Sequence, residues 1–281
     1  MSAAGVLTLA VGLFTCRRQL TRGSLVGRGI ALGRVFVAAP LATFGAQHLA
    51  SPSGLLPIVP HYMPFPLFWV FLVGFALIAT ALSLIFDRVV LWSGLMCGGM
   101  FVLFSAMLSV PAVIAGHHDR FTLALTVREP SFACGLLALG ASFGVRAAGW
   151  TRLIAVCRIV FGAVAIFYAV QHFLHPEFLP GVPLEKQIPA WEPVVRPWGY
   201  AIGAFLLVCG ALLVANRWPQ KAAASLGIAV AFAVIVVYLP LLGPAHGTSE
   251  MVEALDYIFD TLLFAGTALI LGESLQRTAA G

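Results

Sequence analysis

Charge is what this sequence has least of: 10% of its 281 residues are Asp, Glu, Lys or Arg, against 60% hydrophobic. Soluble domains carry roughly a quarter charged residues, and a water-facing surface cannot be built from so few. A soluble globular protein is therefore excluded, and the bilayer is the natural solvent for the chain. No basic cluster with interleaved aromatics occurs either, so the net charge of +5 bears on topology, and nucleic acid is not an expected partner. The five cysteines (Cys16, Cys97, Cys134, Cys157 and Cys209) form no C-x-x-C pair and lie mostly in apolar runs, as small packing residues do. H-E-x-x-H, G-x-S-x-G, a Walker loop and a dinucleotide glycine fingerprint are all missing. Nucleotide-driven transport within the chain is thereby disfavoured, and no catalytic activity of its own is expected.

What is present is apolar length. Eight runs approach the roughly 20 residues a spanning helix needs: 30–50, 66–86, 89–115, 131–149, 157–175, 198–215, 222–243 and 254–272. They predict an all-α integral membrane protein. A shorter run, 3–15, has no basic residue ahead of it and an Arg pair behind it, the wrong polarity for a secretory signal. It is either a short ninth spanning helix or one lying at the interface. If the first core helix runs outward, twelve Lys and Arg fall on the inner side and four on the outer. The positive-inside rule selects that topology, with the C-terminus cytoplasmic. Trp69, Trp191 and Trp198 then sit at outer ends and Trp92, Trp150 and Trp218 at inner ends, an aromatic belt at both interfaces.

The two halves share polar positions in constant register. Arg34 and Arg158 open the first helix of each, and His48 and His172 follow fourteen residues later, each preceded by Gln (Gln47 and Gln171). After a five-residue insertion, Trp69 pairs with Trp198, Gly74 with Gly203, Arg88 with Arg217, Pro111 with Pro240 and His117 with His246. The expected organisation is a 1–29 extension and two parallel four-helix repeats, 30–149 and 150–281. Parallel repeats are related by an axis along the membrane normal, and ligand sites in such folds lie between the halves.

All seven histidines fall at or near the outer face. Imidazole suits a metal, a haem or a proton relay; it equally suits helix capping and headgroup contact. A haem would need His48 opposite His172, and a zinc would need His117, His118 and Asp119 with a partner. The last span carries Glu253, Asp256, Tyr257 and Asp260, spaced to share one helical face. Asp260 lies roughly 10 Å deeper than Glu253 at about 1.5 Å per residue, so it must face the bundle or water, or be paired. It either handles protons or a cation, or pairs with Arg128 or Arg196. Glu129-Pro130 reads as the opening of the fourth span, with Glu favoured by the helix dipole and Pro by the first turn. Six prolines between Pro176 and Pro197 predict an extended outer lid.

Each half resembles a DoxX-type membrane domain. The resemblance rests on four helices, an Arg opening the first, and the runs Phe44-Gly45-Ala46-Gln47-His48 and Tyr168-Ala169-Val170-Gln171-His172. A Pro-rich outer loop and a second helix with Trp and Gly follow. It covers residues 30–275 and departs from the family by duplication and by the N-terminal extension. The resemblance implies a membrane redox neighbourhood and a bacterial inner-membrane location. The expected function is an accessory subunit that contacts quinone or a redox partner. In that expectation Gln47, His48, Gln171 and His172 act as ligand contacts, His117, His246 and Asp256 are further candidates, and Asp260 handles protons. A small-solute or ion transporter, or a scaffold, is the alternative.

Overall fold

The structure, a computed structural model, describes residues 2–22, 24–116, 119–144, 147–179, 195–243 and 247–279. Its long helices are α1 (Ser2–Arg22), α2 (Leu25–Ala50), α3 (Pro66–Phe86), α4 (Val90–Ile114), α5 (Arg120–Ser142), α6 (Ala148–Leu174), α7 (Val195–Val214), α8 (Pro219–Leu242) and α9 (Thr248–Ala279). No β-strand element occurs among the described residues. Eight of these helices, α2 to α9, are long and apolar enough to cross a membrane. Their outer surface is apolar too: Phe75, Met96, Phe232 and Ile235 are each about 60% exposed in mid-helix. Exposed apolar bands of that extent suit lipid rather than water. The protein is an all-α, multi-pass integral membrane protein.

Local chemistry sets the ends. Ser24 caps α2 by accepting the Gly27 N–H at 3.2 Å, and Asp119 caps α5 by accepting the Thr122 N–H at 2.9 Å. Side-chain oxygens at that position satisfy orphan amides. Pro66 and Pro219 occupy first turns, where no N–H is missed. At the far ends of α3 and α7 the chain turns through left-handed residues, Asp87 (φ 53) and Asn216 (φ 55), then Val89 (φ 51) and Trp218 (φ 45). Asp and Asn tolerate that region; a β-branched Val does not.

The fourth span begins at Arg120 rather than near Glu129, because Asp119 is its cap and the charges at Arg120, Arg128 and Glu129 interrupt the apolar run without ending the helix. Pro130 is therefore inside α5. The 3–15 run belongs to a longer helix, α1, which turns back antiparallel along α2. Gly5 abuts Ala39 and Thr43, and Gly12 abuts Val35. Thr43 is roughly 27 Å along α2 at about 1.5 Å per residue.

Helix pairing brings the halves together. α2 packs on α3 and α9, α5 on α4 and α6, α6 on α7, α8 on α9, and α5 on α9. The first long helix of each half thus packs on the last helix of the other. The central contacts are backbone-close: a Cβ on Gly266 of α9 would stand 2.7 Å from the Val37 nitrogen of α2, and one on Gly135 of α5 would stand 2.8 Å from the Thr267 carbonyl oxygen of α9. Small residues permit such approaches in membranes, where van der Waals packing replaces the hydrophobic drive. Because the helices alternate in direction, Arg34, Arg88, Arg158, Arg217 and Arg277 collect at one end of the bundle, here the basic end. His48 and His172 lie at the other, the histidine end.

α4 and α8 each contain a five-residue π-helical stretch, Ser105–Ser109 and Val234–Tyr238, followed closely by Pro111 and Pro240. A proline ring clashes with the carbonyl four residues back, which here is Met107 or Val236. The wider π turn relieves that clash and turns extra side chains inward.

Candidate functional site

The polar interior lies in the histidine-end half of the bundle. Asp260 of α9 accepts a hydrogen bond from Arg128 Nη1 of α5. Both side chains are mostly buried, at 15% and 16% exposure. From its helix start Arg128 is about 12 Å deep, and Asp260 about 18 Å, at roughly 1.5 Å per residue. A single charge at such depth is costly, so the two occur together. The guanidinium also lies 5.8 Å from the centre of the Phe132 ring. Its Nε is buried and has no hydrogen-bond partner among the described residues.

Two further acids flank the pair. One turn outward on α9, Asp256 accepts a hydrogen bond from the Gln47 side chain of α2. Next to Arg128, Glu129 accepts from Ser109 at 2.8 Å and Ser105 at 3.3 Å, both presented by the π stretch of α4. Tyr168 of α6 and Tyr238 of α8 are wholly buried beside the ion pair. The Tyr168 hydroxyl donates to the Ala124 carbonyl at 3.4 Å. Helices α2, α4, α5, α6, α8 and α9 therefore all contribute to one centre of three carboxylates, one guanidinium, an amide and four hydroxyls.

Beside this centre lies a cavity of about 190 Å³ between α6, α7, α8 and α9. Tyr168, Trp198, Phe205, Val230, Ala233 and Phe264 are among its walls. Phe264 stacks on Phe161 at 5.2 Å and meets the Tyr168 ring edge-on at 5.7 Å, which fixes the inner wall. Trp198 is half exposed on the outer rim. Tyr168 thus belongs both to the cavity and to the surroundings of the Arg128–Asp260 pair.

The structure joins three of the sequence candidates, Gln47, Asp256 and Asp260, and supplies Arg128, one of the two partners expected for Asp260. The stripe on α9 grades from exposed Glu253 through half-buried Asp256 to Asp260. His48 and His172 are built into different helix pairs. His48 stands against Gly74 of α3 and donates Nδ1–H to the Phe44 carbonyl at 2.7 Å. His172 is buried against Gly203 of α7. Their helices pack on α9 and α5 rather than on each other, so the two imidazoles do not form a haem clasp. Gln171 is half-buried and stays on α6. Asp119, considered for zinc, is engaged with Thr122 as a helix cap. No group of three or more His, Cys, Asp or Glu able to hold a metal occurs among the described residues. His117, His118 and His246, and most of the 176–197 lid, lie outside the described residues. Five buried cysteines carry free thiols.

Sequence reasoning missed Glu129, Ser105, Ser109, Tyr168, Tyr238 and the cavity. Ser105 and Ser109 four apart beside a proline were a usable signal for an inward polar face. Tyr168 entered only as the first residue of the Tyr168–His172 run, and Tyr238 was not singled out. Comparison with family models, with curated proteins and with solved structures returns no match to this chain.

Proposed function

We propose that this protein binds a lipid-soluble carbonyl compound of the quinone class and serves as an accessory subunit of a membrane redox system. The observation that carries the reading is the placement of Tyr168, shared by an apolar cavity and by the buried Arg128–Asp260 centre. Ligand sites are mostly apolar with a few placed polar groups, and this cavity has Tyr168 on its inner wall, the hydroxyl of which reaches the Ala124 carbonyl beside the ion pair. A flat ring fits between Trp198 and Phe264, and its isoprenoid tail leaves between α7 and α8 into lipid. Arg128, Asp260 and Asp256 form the polar relay behind it. Electrons come from a redox partner protein. The DoxX-type resemblance of the Gln-His runs supports the same neighbourhood. In this proposal Gln47 acts through Asp256, while His48 and His172 brace α3 and α7 rather than touch the ring.

The proposal extends to origin and orientation. The chain is a tandem duplication of a four-helix unit. In support, the left-handed residues 87 and 89 recur at 216 and 218, and the π stretch at 105 recurs at 234, each 129 positions on. The basic end faces the cytoplasm of a bacterial inner membrane, on the twelve-to-four distribution of Lys and Arg.

The test is quenching of intrinsic fluorescence by a short-chain ubiquinone analogue in mild detergent. Saturable quenching is expected, lost in Trp198→Phe, with binding abolished by Ala229→Phe, which fills the cavity. Non-saturable quenching, indifferent to both changes, would refute the reading.

A second reading has its own observation. The ion pair, Asp256 and Gln47 sit where α9 packs against α2 and α5, both from the other half, the position a transporter uses for its solute. Proteoliposome flux of a cation or small acid that Asp260→Asn abolishes would favour it; no flux across a solute panel, with insertion shown, would eliminate it.

A further inference from the structure

At the basic end the two halves differ in charge where they match in position. Arg34 of α2 forks onto Glu273 of α9, with Nε–Oε2 at 3.0 Å and Nη2–Oε1 at 2.5 Å, and reaches Asp87 Oδ1 at 2.5 Å. Arg277 adds a further bond to Glu273 at 3.0 Å. The corresponding arginine of the second half, Arg158, has neither acid. Asn216 stands 129 positions after Asp87, and Gly144 stands 129 positions before Glu273. Arg158 instead donates Nη1 to the Leu213 and Val214 carbonyls at the end of α7. Its Nε and Nη2 carry no hydrogen bond to any described residue, and neither is sealed from solvent.

Beside Arg158 opens a cavity of about 460 Å³ between α6, the α7–α8 turn and the end of α9. Lys221 lines it, exposed on the first turn of α8, and among the described residues no carboxylate does. The first-turn N–H groups of Gln220 and Lys221 have no intrahelical acceptor, and the helix dipole places partial positive charge there. Thr151 and Asn216 add neutral donors. Two cations, a helix N-terminus and two donors around a space with no acid among its described lining residues describe an anion site.

We propose that this cavity binds a phosphate ester, presented by the headgroup of an anionic phospholipid. The shared chemistry is the phosphate; a soluble organophosphate offers it too. The lipid is favoured by the surroundings. Ile154 and Leu275 give apolar walls, and Trp218 is 65% exposed beside them, where an interfacial ring meets headgroups. Basic pockets between spanning helices hold anionic headgroups in this way.

The experiment compares phosphatidylglycerol, phosphatidylcholine and glycerol phosphate by native mass spectrometry of the full chain released from detergent. Two variants leave the Arg158 bonds to α7 in place: Lys221→Ala removes an exposed cation, and Asn216→Asp restores the acid found at position 87. The left-handed turn accepts either residue. Wild type should retain phosphatidylglycerol at least tenfold over phosphatidylcholine, and each variant should lose that preference fivefold or more. Displacement of the bound lipid by millimolar glycerol phosphate would confirm the phosphate site but assign it to a soluble ester. Equal retention of the two lipids, or a preference untouched in both variants, would overturn the proposal.

Discussion

Replacing Asp260 by Asn leaves Arg128 as an uncompensated cation inside the bundle, and the cost can be worked from the structure. Both side chains are about five-sixths buried, so the solvent discount for surface pairs does not apply. Two unit charges about 4 Å apart interact by roughly 4 kcal/mol at an effective dielectric of 20, and breaking a buried pair costs about 3–5 kcal/mol. Glu129, the next residue, offers Arg128 a second negative charge and brings the expected cost to about 3 kcal/mol. That is roughly a 150-fold shift in the unfolding equilibrium at about 1.4 kcal/mol per decade. Arg128→Met should cost less, because a carboxyl can be carried neutral whereas a guanidinium cannot. The double variant Arg128→Met/Asp260→Leu, with neither charge to bury, should approach wild-type stability. Reversible unfolding in bicelles, fitted as a double-mutant cycle, measures the coupling, expected at about 2–3 kcal/mol. An Asp260→Asn cost below about 1 kcal/mol, with additive single effects, would refute the buried pair.

Other expectations follow from named contacts. Ser105→Ala/Ser109→Ala strips Glu129 of both hydroxyl donors and should cost about 3–6 kcal/mol in the same unfolding assay, at roughly 1.5–3 kcal/mol per lost bond to a charged group; wild-type stability would mean that the π stretch of α4 does not serve Glu129. Val89→Gly relieves a β-branched residue at φ 51 and should raise stability by about 1 kcal/mol. Gly266→Leu drives a side chain into the α2 backbone at Phe36 and Val37. It should cost more than the roughly 1–3 kcal/mol of ordinary overpacking and give aggregated protein on size-exclusion chromatography, whereas Gly54→Leu, in open space, should elute normally.

The spans were legible because membrane helices announce themselves by length and apolarity, and the ends of α3 and α4 were placed within a residue of their observed limits. Charged helical turns were not: α5 begins eleven residues ahead of its apolar run and ends seven short of it, and α9 extends past both ends of its own, since a helix follows its caps and backbone bonds rather than hydropathy. Asp260 could be singled out from its depth on a helix, and Arg128 named as a partner, because burial forces a carboxylate to find a cation. The histidines misled for a geometric reason. Adjacent residues point about 100° apart on a helix of 3.6 residues per turn; once Gln47 faces Asp256 on α9, His48 faces α3. Which helix lies on which side is a tertiary fact. Nothing in the sequence announced that α2 packs on α9 rather than on the last helix of its own half, nor that a space opens between α6, α7, α8 and α9.

The most direct test of ligand binding is photo-crosslinking with a light-activated quinone analogue, followed by peptide mapping of the labelled protein. Label on 198–206 and 229–233, competed away by unmodified quinone and absent from Ala229→Phe, is the predicted result. Label that concentrates on the His48 and His172 peptides, or that unmodified quinone does not compete, would contradict it.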